Sequence, residues 1–274
     1  MLVCILALVK TLALFSFLLF ACASETTSEG PTAVDDELVG GTPDSRWPAA
    51  GYLVHAPTAE GLAAAPVSCG ATLVAPDVVV TAAHCVLAAD TELWAFGTGN
   101  AGSAALTPVV GRRIHPDFHP EPETHLDVRF YLRNFDLATL RIAQPLTVPP
   151  ARLPDAKTPV GCNYSAVGYR TETTDSATRV STGACVQFRV DLGGDPIFEV
   201  HPTGFSALCH GDGDEGSPLF DSRDPETRPV LHGIYVGSVT QGLTDCRRGT
   251  QFLNGYEAMF GFREFVQQSI DEAR

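Results

Sequence analysis

The stretch from Cys69 to Cys85 constrains this chain more than any other. Cys69-Gly70-Ala71-Thr72-Leu73-Val74 is a short apolar run, Pro76-Asp77 is a turn signal, and Val78-Val79-Val80-Thr81 is a second run rich in β-branched residues. β-Branched side chains suit a pleated surface and Pro-Asp suits a tight turn, so the pattern predicts a hairpin. Ala82-Ala83-His84-Cys85 follows at once. A lone histidine in a chain with eight is usually exposed or structural. This one is framed by a strand, a turn and two cysteines together, which sets it apart from the other seven.

The rest of the chain is punctuated in the same way. Its 274 residues include 25 Gly and 20 Pro, spread among aromatic and β-branched runs, which favours an all-β architecture over a helical bundle. At 45% hydrophobic and 18% charged it can bury a sizeable core and is not a disordered chain. Eighteen Lys and Arg against 32 Asp and Glu give a net charge of −14. Phosphate backbones and anionic bilayers need a basic footprint, so nucleic acid is not an expected partner. Near the C-terminus Phe262, Phe265, Val266, Ser269 and Ile270 share one helical face.

Residues 1–23 are almost wholly apolar, with Lys10 the single charge, and end in Ala21-Cys22-Ala23-Ser24. That reads as a secretory signal with small residues at the cleavage site. Leu19-Phe20-Ala21-Cys22 also resembles a lipobox, in which case the signal ends before Cys22 and a lipid on Cys22 is the one membrane contact. A retained anchor is the third reading. Each of the three exports the chain, to the medium, the periplasm or the cell surface. Residues 24–37 are polar and acidic, a tether or pro-segment. Beyond the leader six cysteines remain: Cys69, Cys85, Cys162, Cys185, Cys209 and Cys246. An even number in an exported chain predicts three disulfides, in any of about 15 pairings by spacing alone. No C-x-x-C pair exists to suggest zinc, and the acidic run His210–Glu215 lacks the distal ligand of a calcium loop. No metal and no cofactor are expected.

From Leu38 to Ile270 the chain resembles the trypsin-like serine protease family, on four segments. Leu38-Val39-Gly40-Gly41 with Arg46-Trp47-Pro48 matches the start of the mature enzymes, although Asp35-Asp36-Glu37 precedes it where an Arg or Lys is usual. Ala82-Ala83-His84-Cys85 matches the segment of the general base. Asn134-Phe135-Asp136-Leu137-Ala138, downstream of His115-Pro116, matches the segment of the buried Asp that orients it. The fourth segment departs from the pattern. The family has Gly-Asp-Ser-Gly-Gly-Pro; this chain has Gly213-Asp214-Glu215-Gly216-Ser217-Pro218. Aligned on Pro218, which must start the next strand in register, Glu215 replaces the nucleophile, and Gly213 and Asp214 fall in the oxyanion-hole region. Aligned on Cys209, Gly213 takes that position. Neither alignment supplies a serine.

The resemblance implies two antiparallel six-stranded β-barrels, over 38–144 and 156–274, joined by a linker at 145–155 and closed by a C-terminal helix. It implies bridges Cys69–Cys85 and Cys209–Cys246, and within that fold Cys162 is expected to pair with Cys185. Asp221 stands where many relatives carry a cysteine. The cleft is expected to involve Ala207 and Leu208 at the pocket floor, with no Asp to select a basic residue, and Val236-Gly237-Ser238 where the family usually has Ser-Trp-Gly. A carboxylate has no hydroxyl proton for His84 to remove, and its charge opposes an oxyanion. The expected function is therefore that of an exported protease homologue without a nucleophile, a monomer that binds a protein or peptide in the inter-barrel cleft. The competing expectation is an active endopeptidase that uses the displaced Ser217.

Overall fold

A computed structural model describes residues 41–87, 91–102, 105–120, 135–173, 176–192, 195–202, 213–239 and 253–273. The leader, the tether, Leu38–Gly40, the pocket-floor positions Ala207 and Leu208, and the pair Cys209 and Cys246 lie outside the described residues. Among those described, no helix is long and apolar enough to cross a membrane.

A short strand β1 (Thr42–Pro43) precedes the first barrel. That barrel is built from β2 (Ala50–Ala56), β3 (Cys69–Ala75), β4 (Val78–Thr81), β5 (Leu93–Thr98), β6 (Thr107–Ile114) and β7 (Ala138–Ile142). These close in the order β2-β3-β4-β7-β6-β5. A one-turn helix α1 (Ala59–Leu62) follows β2, capped by the Thr58 hydroxyl, which accepts from the Gly61 N–H. The expected hairpin is β3–β4, with Thr72 opposite Val80 and Leu73 opposite Val79. Val78, Val79 and Val80 are all buried, which a strand with one wet face would not allow. Alternation turns Val79 into the barrel with Leu53, Leu73, Phe96 and Leu140. Val78 and Val80 turn the other way, into a cluster with Trp47, Phe220 and Phe265.

The second barrel comprises β8 (Gly161–Thr173), β9 (Ser176–Leu192), β10 (Asp195–Pro202), β11 (Pro218–Asp221), β12 (Leu231–Val239) and β13 (Leu253–Ala258). The sheet runs β1-β9-β10-β13-β12-β11-β8, and a further β8–β9 pairing closes the six long-range strands on themselves. β1 is left on the edge of β9, with Thr42 opposite Ser181. Arg179 fixes this entry segment: its buried guanidinium donates to the carbonyls of Asp44, Ser45, Trp47 and Ala50. The core of this barrel holds Tyr164, Val180, Val200, Leu219, Tyr235 and Tyr256.

Helix α2 (Arg263–Glu272) closes the chain. Phe265, Val266 and Ile270 are buried as their spacing requires, and Ser269 meets Thr139 of β7 at 2.8 Å. Trp47 stacks on Phe220 at 5.0 Å between centroids, so the cluster containing α2 joins both barrels. Cys69 is bonded to Cys85, and Cys162 on β8 to Cys185 on β9. Asp221, at the position where a cysteine is common, instead binds the Arg223 side chain.

Candidate active site

His84 opens a tight turn (His84–Val86) at the end of β4, and the Cys69–Cys85 bridge holds that turn to β3. A loop of this length contributes about 3 kcal/mol by restricting the unfolded chain. The first barrel thus fixes the imidazole from both sides.

Asp136 arrives just ahead of β7. Phe135 has φ of 53°, in the left-handed region that a bulky residue rarely adopts. Its ring is stacked on His115 at 5.2 Å and packs edge-on to Phe262, which offsets that cost. The Leu137 N–H donates to the Phe135 carbonyl at 2.7 Å, making a tight turn centred on Asp136. The turn aims a fully buried carboxylate at the histidine. Oδ1 accepts the His84 backbone N–H at 2.9 Å and Oδ2 lies 2.6 Å from Nδ1. Asp136 itself is anchored from the second barrel, because its N–H donates to Glu257 Oε1 at 2.8 Å. Glu257 is not among the residues expected from the sequence. Its signal was a carboxylate inside the strand-like run Leu253–Ala258, where it is fully buried.

The loop before β11 supplies the third group. The Glu215 carbonyl accepts the Gly70 N–H at 2.7 Å, and the Gly216 N–H donates to the Tyr235 carbonyl at 2.8 Å. Gly216 has φ of 84°, and a Cβ there would lie 2.3 Å from the Gly70 carbonyl oxygen and from Thr81 Oγ1. Only glycine fits, so the turn brings Glu215 to its place without room for adjustment. Glu215 Oε2 lies 3.9 Å from His84 Nε2, an ion-pair separation rather than a direct hydrogen bond. The Pro-anchored alignment is therefore the one whose nucleophile position faces the imidazole. Strand β11 starts at Pro218, as that alignment requires.

Two carboxylates thus flank one imidazole. Burial works against charge on His84, but the contacts with Asp136 and then Glu215 outweigh it and raise its pKa to about 9. At neutral pH the ring is an imidazolium. Cys69, His84 and Cys85 are near one another, but the two sulfurs are joined in a disulfide and offer no thiolate to a metal.

The remaining expected site residues fall as follows. Ser217 is fully buried, its oxygen has no hydrogen-bond partner, and it packs so closely on Gly70 that a Cβ there would lie 2.2 Å from Ser217 Oγ. It makes no hydrogen bond to His84. Gly213 is half-buried with φ of 136°, and Asp214 is buried with Oδ1 accepting the Tyr169 N–H at 3.0 Å. Val236 packs in the first barrel's core, while Gly237 and Ser238 lie on β12 opposite Gly255 and Asn254.

Comparison with known proteins agrees with this geometry. The trypsin family profile matches residues 49–259. A solved structure described as kallikrein-related peptidase 10 in complex with Zn2+ superposes with a TM-score of 0.59 at 16% identity, covering 84% of this chain and 98% of that one. No curated protein sequence matches. With the family matched over both barrels and His84 and Asp136 paired at 2.6 Å, the chain belongs to the trypsin family of serine proteases.

Proposed function

We propose that this protein is an exported member of the family that has lost peptide-bond hydrolysis and acts by binding a protein or peptide at the cleft beside His84. One observation carries the reading: His84 Nε2, the atom that would take a nucleophile's proton, faces the Glu215 carboxylate at 3.9 Å. Glu215 offers no hydroxyl to deprotonate. Asp136 and Glu215 together hold His84 protonated, so the ring has no lone pair at Nε2 to act as a base. The Glu215 charge stands where a tetrahedral intermediate would develop its own.

Ser217 gives the competing reading no support. It is fully buried, and a shift of 1 Å in reacting atoms can already cost ~100-fold in rate. Export is supported by the apolar leader and by the two described disulfides, which persist in oxidising compartments.

The reading is tested by incubating the mature protein with a library of fluorogenic peptides and with non-cleavable peptide aldehydes. Binding without turnover at micromolar protein is the expected result. Turnover that follows protein concentration and is lost in His84→Ala would refute it.

A further inference from the structure

We infer that Glu257 is a positioning residue of the His84 site, holding the Asp136 backbone from the second barrel in the conformation that aims its carboxylate at the imidazole. The strand pair that carries Glu257 also carries the anchor of Glu215, so one frame sets both carboxylates on either side of the ring. The inference concerns how the site is assembled and stands whether the cleft binds or hydrolyses.

The peptide that joins Phe135 to Asp136 decides where the Asp136 carboxylate points. Phe135 has φ of 53°, a left-handed conformation that a bulky residue keeps only where its surroundings impose it. Both polar groups of that peptide are held. Its carbonyl accepts the Leu137 N–H at 2.7 Å, and its N–H donates to Glu257 Oε1 at 2.8 Å. The first bond is local and turns with the segment, so it cannot orient the turn against the rest of the molecule. The second ties the turn to the other barrel.

Glu257 is a fixed acceptor. It is fully buried on β13, opposite Ile197 of β10 on one side and Ile234 of β12 on the other. A strand with ladder partners on both sides has little freedom to shift. Burying a carboxylate disfavours folding unless it is hydrogen-bonded, and its ladder neighbours are isoleucines, so packing alone does not call for an acid here.

The same strands hold the other carboxylate. Tyr235, next to Ile234, accepts the Gly216 N–H at its carbonyl and donates its own N–H to the Ser217 carbonyl, each at 2.8 Å. The loop bearing Glu215 thus hangs from β12 one residue along from the position facing Glu257. His84 of the first barrel enters between them, with Asp136 Oδ2 2.6 Å from Nδ1 and Glu215 Oε2 3.9 Å from Nε2.

The readout is the His84 Nδ1 proton, which in a 2.6 Å contact with a carboxylate resonates far downfield and exchanges slowly with water. It is followed by NMR at neutral pH beside melting curves. Glu257→Gln keeps an acceptor oxygen at the same reach and should keep the signal. Glu257→Asp withdraws the acceptor by one methylene and Glu257→Leu removes it; each should speed exchange of that proton at least about tenfold or abolish the signal. If Glu257→Leu does not fold, Glu257→Asp carries the test. Val200→Ala, a buried truncation in the core of the same barrel, should lower Tm and leave the signal as in the parent. A slowly exchanging signal in folded Glu257→Asp, or its loss in Glu257→Gln, overturns the inference. So does an equal loss in Val200→Ala, which would reduce Glu257 to a contributor to stability alone.

Discussion

Glu215→Gln keeps the size of the side chain and removes its charge, so it isolates what that carboxylate does to His84. At 3.9 Å, two opposite charges attract by about 4 kcal/mol at an effective dielectric of 20 and by about 1 kcal/mol in bulk water. Glu215 is 29% exposed at its side chain, so the pair lies between these limits. Each pKa unit corresponds to about 1.4 kcal/mol, which places the effect between about one and three units. Asp136 stays at 2.6 Å and continues to favour the charged ring. The His84 pKa should therefore fall from about 9 to between about 6 and 8. An NMR titration of the imidazole carbons reads this directly, with the His84 signal assigned by its loss in His84→Gln. A midpoint that stays near 9 in Glu215→Gln would refute the reasoning, because Asp136 alone would then account for the raised pKa.

Other consequences can be checked on the same protein. His84 is raised to about 9, so its contribution to stability is complete below about pH 6.5 and is lost as pH climbs through 9, a loss on the order of 3 kcal/mol. Burial lowers His232 to about 4, against the pull of Asp221. A neutral histidine in the fold that gains a proton on unfolding costs stability as pH falls from about 6.5 towards 4. Urea midpoints should thus peak near pH 6.5, and His232→Gln should flatten the acid limb alone; an unchanged acid limb would contradict the assignment. Cys69→Ser with Cys85→Ser should cost about 3 kcal/mol and lower Tm by about 6–12 °C, and a fall under 2 °C would show that the bridge is not what fixes the turn. Gly216→Ala sets a Cβ 2.3 Å from two oxygens at a φ of 84°, so it should lose at least about 3 kcal/mol or fail to fold, where Gly99→Ala, with open space around it, should lose much less.

The local patterns were legible in the sequence because their causes are local. The β-branched runs around Pro76-Asp77 made the β3–β4 hairpin readable, and the 3–4 spacing of Phe262, Phe265, Val266 and Ile270 made α2 readable. Pro218 was a sound anchor for the departing segment because it starts β11, and a register error there would turn Leu219 and Phe220 to the wrong faces. What could not be read depends on distant parts of the chain. Glu257 reaches Asp136 across 121 residues, and a carboxylate within a strand-like run does not name its partner. The burial of Ser217 follows from the close approach of Gly70, a strand in the other barrel. The place of β1 on the edge of β9 depends on the Arg179 guanidinium gathering four carbonyls of the entry segment, again a non-local event.

The central claim is that one position, Glu215, stands between this scaffold and acyl transfer. Its most direct test is fluorophosphonate labelling of the mature protein and of Glu215→Ser, with the adduct located by mass spectrometry. The account predicts no adduct on the parent and an adduct at position 215 in the variant. An adduct on the parent at Ser217, lost in Ser217→Ala, would contradict it.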